Sequence, residues 1–128
     1  SCPDGYKEYR EVCYKVFDIE KTFSESAATC SADGGTLAMP RDHGINAFLF
    51  SLIKEVDSYE NYWFGLTDVK QEGTWEWVDG TALGTGYRVW REGQPDQWGE
   101  QDCAMYRWDE WVDGDCRWRK QFICQVIP

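Results

Sequence analysis

The six cysteines, at positions 2, 13, 30, 103, 116 and 124, most constrain how this chain can fold. Their number is even and no two have C-x-x-C spacing, so the pattern favours a disulfide framework over a structural zinc site or a thioredoxin-like redox motif. Because disulfides persist in oxidising compartments, the sequence predicts a secreted, extracellular protein. Six cysteines allow about 15 pairings, and their spacing alone does not choose among them.

The composition indicates one domain over residues 1–128. A chain of this length suits a single modest core, and its 42% hydrophobic residues, with eight tryptophans, are enough to fill one. Acids outnumber bases 23 to 13. The negative field repels phosphate backbones and anionic headgroups, which argues against nucleic acid as a partner. No apolar run is long enough to cross a bilayer, so membrane insertion is not expected.

The periodicity of apolar residues predicts an α+β domain. Residues 1–21 alternate apolar and polar, which is typical of paired strands. Thr22 and Glu25 have the spacing of a capping box, and Asp42 is a suitable N-cap for a second helix whose apolar residues recur at helical spacing. Further strands are predicted around "YWFGL", "TWEWVDG", "CAMYRW" with "EWVD", and "QFICQVI". Strands, then two helices, then strands and loops give the α+β class.

Residues 80–102 are rich in glycine and show little regular periodicity. Such a long irregular stretch is usually functional or mobile. It leads into a strongly acidic part of the chain: residues 96–115 hold seven acids against one base, Arg107. Like charges repel unless a cation lies among them or they face away from each other, so this region favours a bound metal ion.

Taken in order, the motifs resemble those of the C-type lectin-like domain. They are "CYKVF", the helix leading to Cys30, "WFGLTD", "WEWVDG", "GQPD", "QDC", "WVDGDC" and "FICQV", and they cover nearly the whole chain. The resemblance implies two small antiparallel sheets, two helices and a long irregular binding loop. It also implies the long form of the domain, with disulfides Cys2–Cys13, Cys30–Cys124 and Cys103–Cys116.

The resemblance further implies a principal calcium site around a cis proline, Pro95. Gln94 and Asp96 flank this proline, and the Gln-Pro-Asp order resembles that of galactose-preferring relatives. Trp98 stands where those relatives carry an aromatic residue, and the C–H face of galactose can pack against an indole ring. The alternative is that Trp98 only packs the loop.

Two departures from the family pattern weaken the expected principal site. Gln101 stands where the family has a glutamate, and Val112 stands where it has an asparagine beside Asp113. The expected metal ligands are therefore Gln94, Asp96, Gln101 and Asp113, and the same four residues with Trp98 are expected to bind carbohydrate. Calcium binds about six to eight oxygens, several of them charged, so we expect weaker binding than in relatives with the full set.

An auxiliary metal site is implied beside the principal one. Asp68, Glu72 and Asp102 match its ligands by order and spacing, and Glu100 is a possible substitute ligand. The alternative is a solvated acidic rim. Zinc is a second metal to consider, with His43 as the only histidine, although His43 is expected to face solvent at the start of the second helix.

These residues favour a secreted, calcium-dependent carbohydrate-binding domain that prefers galactose-type sugars on microbial or host surfaces. Recognition of such surfaces would be a role in innate immunity. Single-sugar sites bind at about millimolar strength, which implies an oligomer or a larger parent chain for avidity. The alternative is a domain whose calcium site is degraded and which binds a protein or surface ligand. The candidate contacts of an exposed patch are then Trp90, Trp98, Trp108, Trp111 and Trp118. An enzyme is not expected, because the chain has no G-x-S-x-G or H-E-x-x-H motif and no cysteine is expected to be free.

Overall fold

The computed structural model describes residues 1–56, 60–96 and 101–128. Two helices and eight strands follow one another along the chain and confirm the α+β class. They are β1 (Lys7–Tyr9), β2 (Val12–Lys21), α1 (Phe23–Ala32), β3 (Thr36–Leu37), α2 (His43–Val56), β4 (Asn61–Thr67), β5 (Glu76–Trp77), β6 (Cys103–Arg107), β7 (Glu110–Gly114) and β8 (Lys120–Val126).

The strands form one hydrogen-bonded sheet in the order β1-β2-β8-β4-β6-β7, with β3 paired to β8 and β5 paired to β4. The two expected antiparallel parts are present, one formed by β1, β2, β3 and β8 and the other by β4, β5, β6 and β7, and a parallel pairing joins them into one sheet. β8 inserts between β2 and β4 and pairs with β4 in parallel, with Trp63 opposite Phe122. The interiors of β4 and β8 are buried, so each can be covered on both faces, as parallel strands usually are.

Both predicted helix starts are confirmed. The Thr22 hydroxyl accepts a hydrogen bond from the Glu25 amide at 3.2 Å, and the Glu25 carboxylate accepts one from the Thr22 amide at 3.0 Å. These two bonds form the capping box that satisfies the first backbone donors of α1. The Asp42 carboxylate accepts from the Ile45 amide at 2.9 Å and caps α2 in the same way.

The three disulfides join Cys2 to Cys13, Cys30 to Cys124 and Cys103 to Cys116, which confirms the expected pairing. Cys30–Cys124 ties α1 to β8 and closes the longest loop, so it restricts the unfolded chain most, by about 4–5 kcal/mol. Cys103–Cys116 ties the start of β6 to the segment after β7. It therefore holds the ends of the strands that flank the acidic region.

Successive residues of β4 fill two apolar clusters on opposite faces of the sheet. Phe64 packs with Leu49 of α2 in one cluster, while Trp63 packs with Cys30 of α1 in the other. This alternation follows from the two-residue period of a strand. The sheet thus separates the two helices, and β6 and β7 extend it toward the long loop.

A buried polar contact links α2 to β6 and β7. The side-chain oxygen of Asn46 accepts hydrogen bonds from the Tyr106 hydroxyl and, at 3.1 Å, from the Trp111 indole nitrogen. The backbone of Trp111 in turn bonds the long loop: its amide donates to Val89 at 3.0 Å, and its carbonyl accepts from Arg91 at 2.9 Å. Asn46 is therefore one support of the surface that carries the loop.

We expect Asn46→Ala to lower the free energy of unfolding by about 2 kcal/mol, because two buried donors lose their acceptor. Urea denaturation monitored by tryptophan fluorescence measures this change. Ser51→Ala is the control on the same helix, since the Ser51 hydroxyl donates only to the backbone of Phe48, and it should change stability by less than about 0.5 kcal/mol. Equal urea midpoints for the wild type and Asn46→Ala would show that this contact does not support the fold.

Candidate functional site

The segment before the predicted site is a loop attached to the edge of β7. The backbone amide of Gln94 donates to the backbone carbonyl of Arg91 at 2.8 Å and closes a tight turn. Gly93 in this turn has φ = 84°, a conformation that glycine adopts without steric cost. The Gln94–Pro95 peptide bond is cis, as the resemblance implied. Gln94 and Asp96 therefore leave the backbone next to each other and close to β7.

Three of the predicted residues contact one another directly. The Gln94 amide nitrogen donates to the Asp96 carboxylate at 3.3 Å. The Gln94 side-chain oxygen accepts from the backbone amide of Asp113 on β7 at 3.1 Å. Gln94 thus bridges the proline turn and β7. Its carbonyl oxygen keeps a second lone pair, and its amide nitrogen keeps a second hydrogen.

These residues line a cleft of about 440 Å³. Gln94, Asp96, Gln101 and Asp113 supply polar atoms to it, and Met105 and Val112 line it as buried apolar residues. The side-chain oxygen of Gln101 is buried and receives no hydrogen bond from any residue that the structure describes. Such an acceptor needs a donor or a cation, which a ligand in the cleft could supply. The structure brings the four predicted side chains together.

A group of three acids lies where the auxiliary site was predicted. Oxygen atoms of Asp68, Glu72 and Asp102 lie within 4.8 Å of one another. Asp68 follows β4, and its backbone amide donates to the Asp102 carbonyl at 3.0 Å, so the two strand ends hold the acids together. The Asp68 carboxylate also makes a local contact, since it accepts a hydrogen bond from the Gly73 backbone amide at 2.8 Å.

The surroundings of the acidic group make Asp68 and Glu72 harder to ionise. Burial raises the pKa of Asp68, and the neighbouring Asp102 adds to the effect. A hydrogen bond shared with Asp102, together with the nearby charge of Asp68, raises the pKa of Glu72 to about 7. One carboxylate oxygen each of Asp68 and Asp102 is buried and receives no hydrogen bond from an N–H or hydroxyl group among the described residues. A cation among the acids would favour their ionised forms and would also give these two buried oxygens a partner.

Other predicted residues have different outcomes. Trp98 and Glu100 lie outside the described residues, so their roles stay predictions. His43 is exposed at the start of α2, and its ring lies near Tyr87 rather than in an acidic group. Trp111 is fully buried, so the expectation that it contributes to an exposed patch is wrong; Trp108 and Trp118 are exposed.

Three bases, which the sequence analysis did not place at the site, also line the cleft: Arg91, Arg107 and Lys120. Arg107 and Lys120 belong to different strands, so no local sequence pattern links them. The two-residue alternation of β6 was a signal that could have placed Arg107 at the cleft, because it puts Arg107 on the same face of the strand as Met105. Finding Lys120 required the strand order, which the sequence did not give.

Within the described chain, no helix is both long enough and apolar enough to cross a membrane.

The chain is similar in sequence to known proteins. The profile of the family described as "Lectin C-type domain" matches residues 19–126. The chain is 33% identical over 129 residues to CD209 antigen-like protein A of Mus musculus. The aligned region covers 99% of this chain and 52% of that protein. It thus spans about half the length of this relative.

Two solved structures are similar in fold. The mouse scavenger receptor C-type lectin carbohydrate-recognition domain has a TM-score of 0.90 at 28% identity, covering 99% of this chain and 98% of that chain. The C-type lectin domain of murine dendritic cell inhibitory receptor 2, solved with an N-glycan, has a TM-score of 0.88 at 26% identity, covering 100% of both chains. Carbohydrate-recognition domains of this type bind ligands and are not enzymes. The chain belongs to the C-type lectin domain family.

Proposed function

We propose that this domain binds carbohydrate through calcium, prefers galactose-type sugars and acts outside the cell. The observation that carries the proposal is the convergence of Gln94, Asp96, Gln101 and Asp113 on one cleft. Their amide and carboxylate groups match the donors and acceptors of vicinal sugar hydroxyls. Relatives of similar fold are named as a carbohydrate-recognition domain and as a complex with an N-glycan, which supports carbohydrate as the ligand class.

The residues fit calcium better at the acidic group than in the cleft. Asp68, Glu72 and Asp102 offer three carboxylates to one point, and two of them have a buried oxygen with no hydrogen-bond donor among the described residues. Calcium prefers such charged oxygens and takes about six to eight of them in all, so water or further loop oxygens would complete its shell.

The cleft offers two carboxylates, from Asp96 and Asp113, and two amide oxygens, from Gln94 and Gln101. Val112 supplies no oxygen where the family has an asparagine, so calcium here would be held more weakly and would depend more on the sugar. Calcium bound in this position attracts sugar hydroxyl oxygens into its coordination shell. The Gln94 amide and the Asp96 carboxylate would then orient those same hydroxyls by donating and accepting hydrogen bonds.

The preference for galactose rests on the order of the two side chains around Pro95. A donor before the proline and a charged acceptor after it reverse the arrangement associated with mannose-type sugars. Trp98 would add an apolar face for the sugar ring, and Trp98→Ala should weaken galactose binding without affecting the metal. The bound sugar would belong to a microbial or host surface.

Avidity and location are part of the same proposal. A shallow site for one sugar supplies about −4 kcal/mol, so useful binding needs several linked copies, in an oligomer or a longer parent chain. Three disulfides support a secreted or extracellular setting, because they persist where the environment is oxidising.

A second candidate is a protein or surface ligand, with the calcium site reduced or used by another metal such as zinc. A groove of about 780 Å³ beside the Cys103–Cys116 disulfide favours it, since Val69 and Val78 are exposed there at 60% and 38%. Exposed apolar side chains of this kind commonly mark contact surfaces. The sugar-binding experiment below separates the two candidates.

We expect Asp96→Asn to reduce calcium-dependent galactose binding by at least about tenfold, because the change removes one of two carboxylates that would hold the ion. Calorimetric titration of metal-stripped protein with calcium, then with galactose or mannose, measures the loss. The same titrations with zinc test the alternative metal.

The matched control for Asp96→Asn is Asp109→Asn, an exposed carboxylate in the turn between β6 and β7. It should bind calcium and galactose as the wild type does. Galactose binding that survives in Asp96→Asn would remove the cleft as the sugar site. No heat from calcium and no response to any sugar would favour the protein-ligand candidate.

The acidic group should make the stability of the metal-free protein depend on pH. Because the pKa of folded Glu72 is about 7, above the ordinary glutamate value of 4.5, the folded protein holds a proton that the unfolded chain releases between these values. Stability should therefore fall as pH rises through this window, and calcium should stabilise the protein more at the upper end, where the carboxylate is ionised. Thermal melting with chelator and with calcium measures both trends.

Glu72→Gln should flatten the pH dependence in chelator and reduce the rise in melting temperature on adding calcium. Glu20→Gln, an exposed acid at the end of β2, is the control and should change neither. Identical pH profiles for the wild type and Glu72→Gln would mean that the three acids do not interact as described.

A further inference from the structure

The cleft holds three bases in a chain that carries an excess of ten acids. They are Arg91, Arg107 and Lys120. Elsewhere, bases such as Lys7, Arg10 and Arg119 pair with acids. No ion pair joins a side chain of the three cleft bases to an acid within residues 1–56, 60–96 and 101–128. Unpaired cations facing one cleft are available to a ligand.

The two bases at the far end of the cleft lie on the two strands that flank β4. Arg107 is the last residue of β6 and lies opposite Asn61, the first residue of β4, while Lys120 is the first residue of β8. Asp113 lies opposite Ala104, three residues before Arg107. At about 3.3 Å per residue, Arg107 is about 10 Å along the strand from the level of Asp113, roughly one to two sugar units.

An exposed indole also lines the cleft. Trp118 is 42% exposed and lines the cleft. Its ring packs against Gly114, where an added Cβ would lie 3.2 Å from the Trp118 ring. The Lys120 ammonium lies 5.6 Å from the centre of the same ring. This end of the cleft thus combines an apolar flat face with cationic groups, which suits a sugar ring that carries a negative charge.

The charge balance of the cleft points the same way. Among the residues that the structure describes, three bases and three acids line it, the acids being Glu92, Asp96 and Asp113. A divalent cation held by the acids would leave a net positive charge, which favours an anion over a neutral ligand. Arginine and lysine both make charge-assisted hydrogen bonds to sulfate and carboxylate oxygens, and these are stronger than neutral ones.

We propose that the cleft selects a galactose-type sugar bearing an anionic substituent, a sulfate ester or a carboxylate, held by Arg107 and Lys120 beside Trp118. This inference rests on the proposed carbohydrate function and names the substrate class for the same cleft. A single anionic substituent fits better than a long polyanion, because the strongly negative chain repels extended anions outside the cleft.

The test compares galactose, galactose 6-sulfate and galacturonic acid in the presence of calcium, by calorimetry or by NMR titration of the whole domain. At least one anionic sugar should bind about tenfold more tightly than galactose, and the preference should shrink as salt is raised. The two anionic arms distinguish a sulfate ester from a carboxylate as the recognised group.

The double variant Arg107→Gln with Lys120→Gln should reduce the ratio of anionic to neutral affinity to about one, since it removes the two charges without changing the acids. The matched control is Arg88→Gln with Lys54→Gln, two exposed bases outside the cleft, and it should keep the preference.

Equal affinities of the wild type for all three sugars would overturn this inference and leave the proposed function standing. A preference that persists in the cleft double variant would also overturn it. Calcium-dependent binding of none of the three sugars would overturn the proposed function and this inference together.

Discussion

Burial of Trp111 holds the sheet, α2 and the long loop in one arrangement. Its ring packs against Phe64 of β4, Trp77 of β5 and Trp90 of the loop. Its indole nitrogen donates to Asn46 of α2, so burial leaves no donor unsatisfied. Because β7 is the last strand of the sheet, this one residue decides where the loop meets the strands.

The geometry of an edge strand explains how the site is built next to Trp111. In an antiparallel strand the backbone groups of alternate residues face the same side, so those of Trp111 and Asp113 both point away from β6. The loop forms hydrogen bonds with these groups: the backbone of Val89 and Arg91 bonds that of Trp111, and the Gln94 side chain bonds the backbone amide of Asp113. Covering the edge in this way prevents pairing with another chain. The same bonds place Gln94 beside Asp113, so protection of the edge and assembly of the cleft are one structural solution.

The sequence predicted those features that depend on neighbours in the chain or on the family pattern. The capping box of Thr22 and Glu25 is local, and the disulfides and the grouping of Gln94, Asp96, Gln101 and Asp113 came with the resemblance. The features that it did not predict depend on strand order. Parallel pairing of β4 with β8 merges the expected two sheets and places Lys120 and Arg107 on the two strands that flank Asn61. Burial of Trp111 likewise follows from the loop that covers it, and its own hydrophobicity cannot distinguish it from Trp118.

The cleft and the acidic group share one stretch of backbone. Gln101 faces the cleft, while the next residue, Asp102, joins Asp68 and Glu72. Successive residues of an extended chain point to opposite sides, so one short segment serves both places. A cation bound by the acids would fix Asp102, and with it the adjacent Gln101, whose side-chain oxygen receives no hydrogen bond from the described residues. The acidic group can therefore contribute to ligand binding without contacting the ligand. A cleft that the cation has already ordered loses less conformational entropy when the ligand binds. Such support matters most in a cleft where Val112 replaces a ligand-bearing side chain.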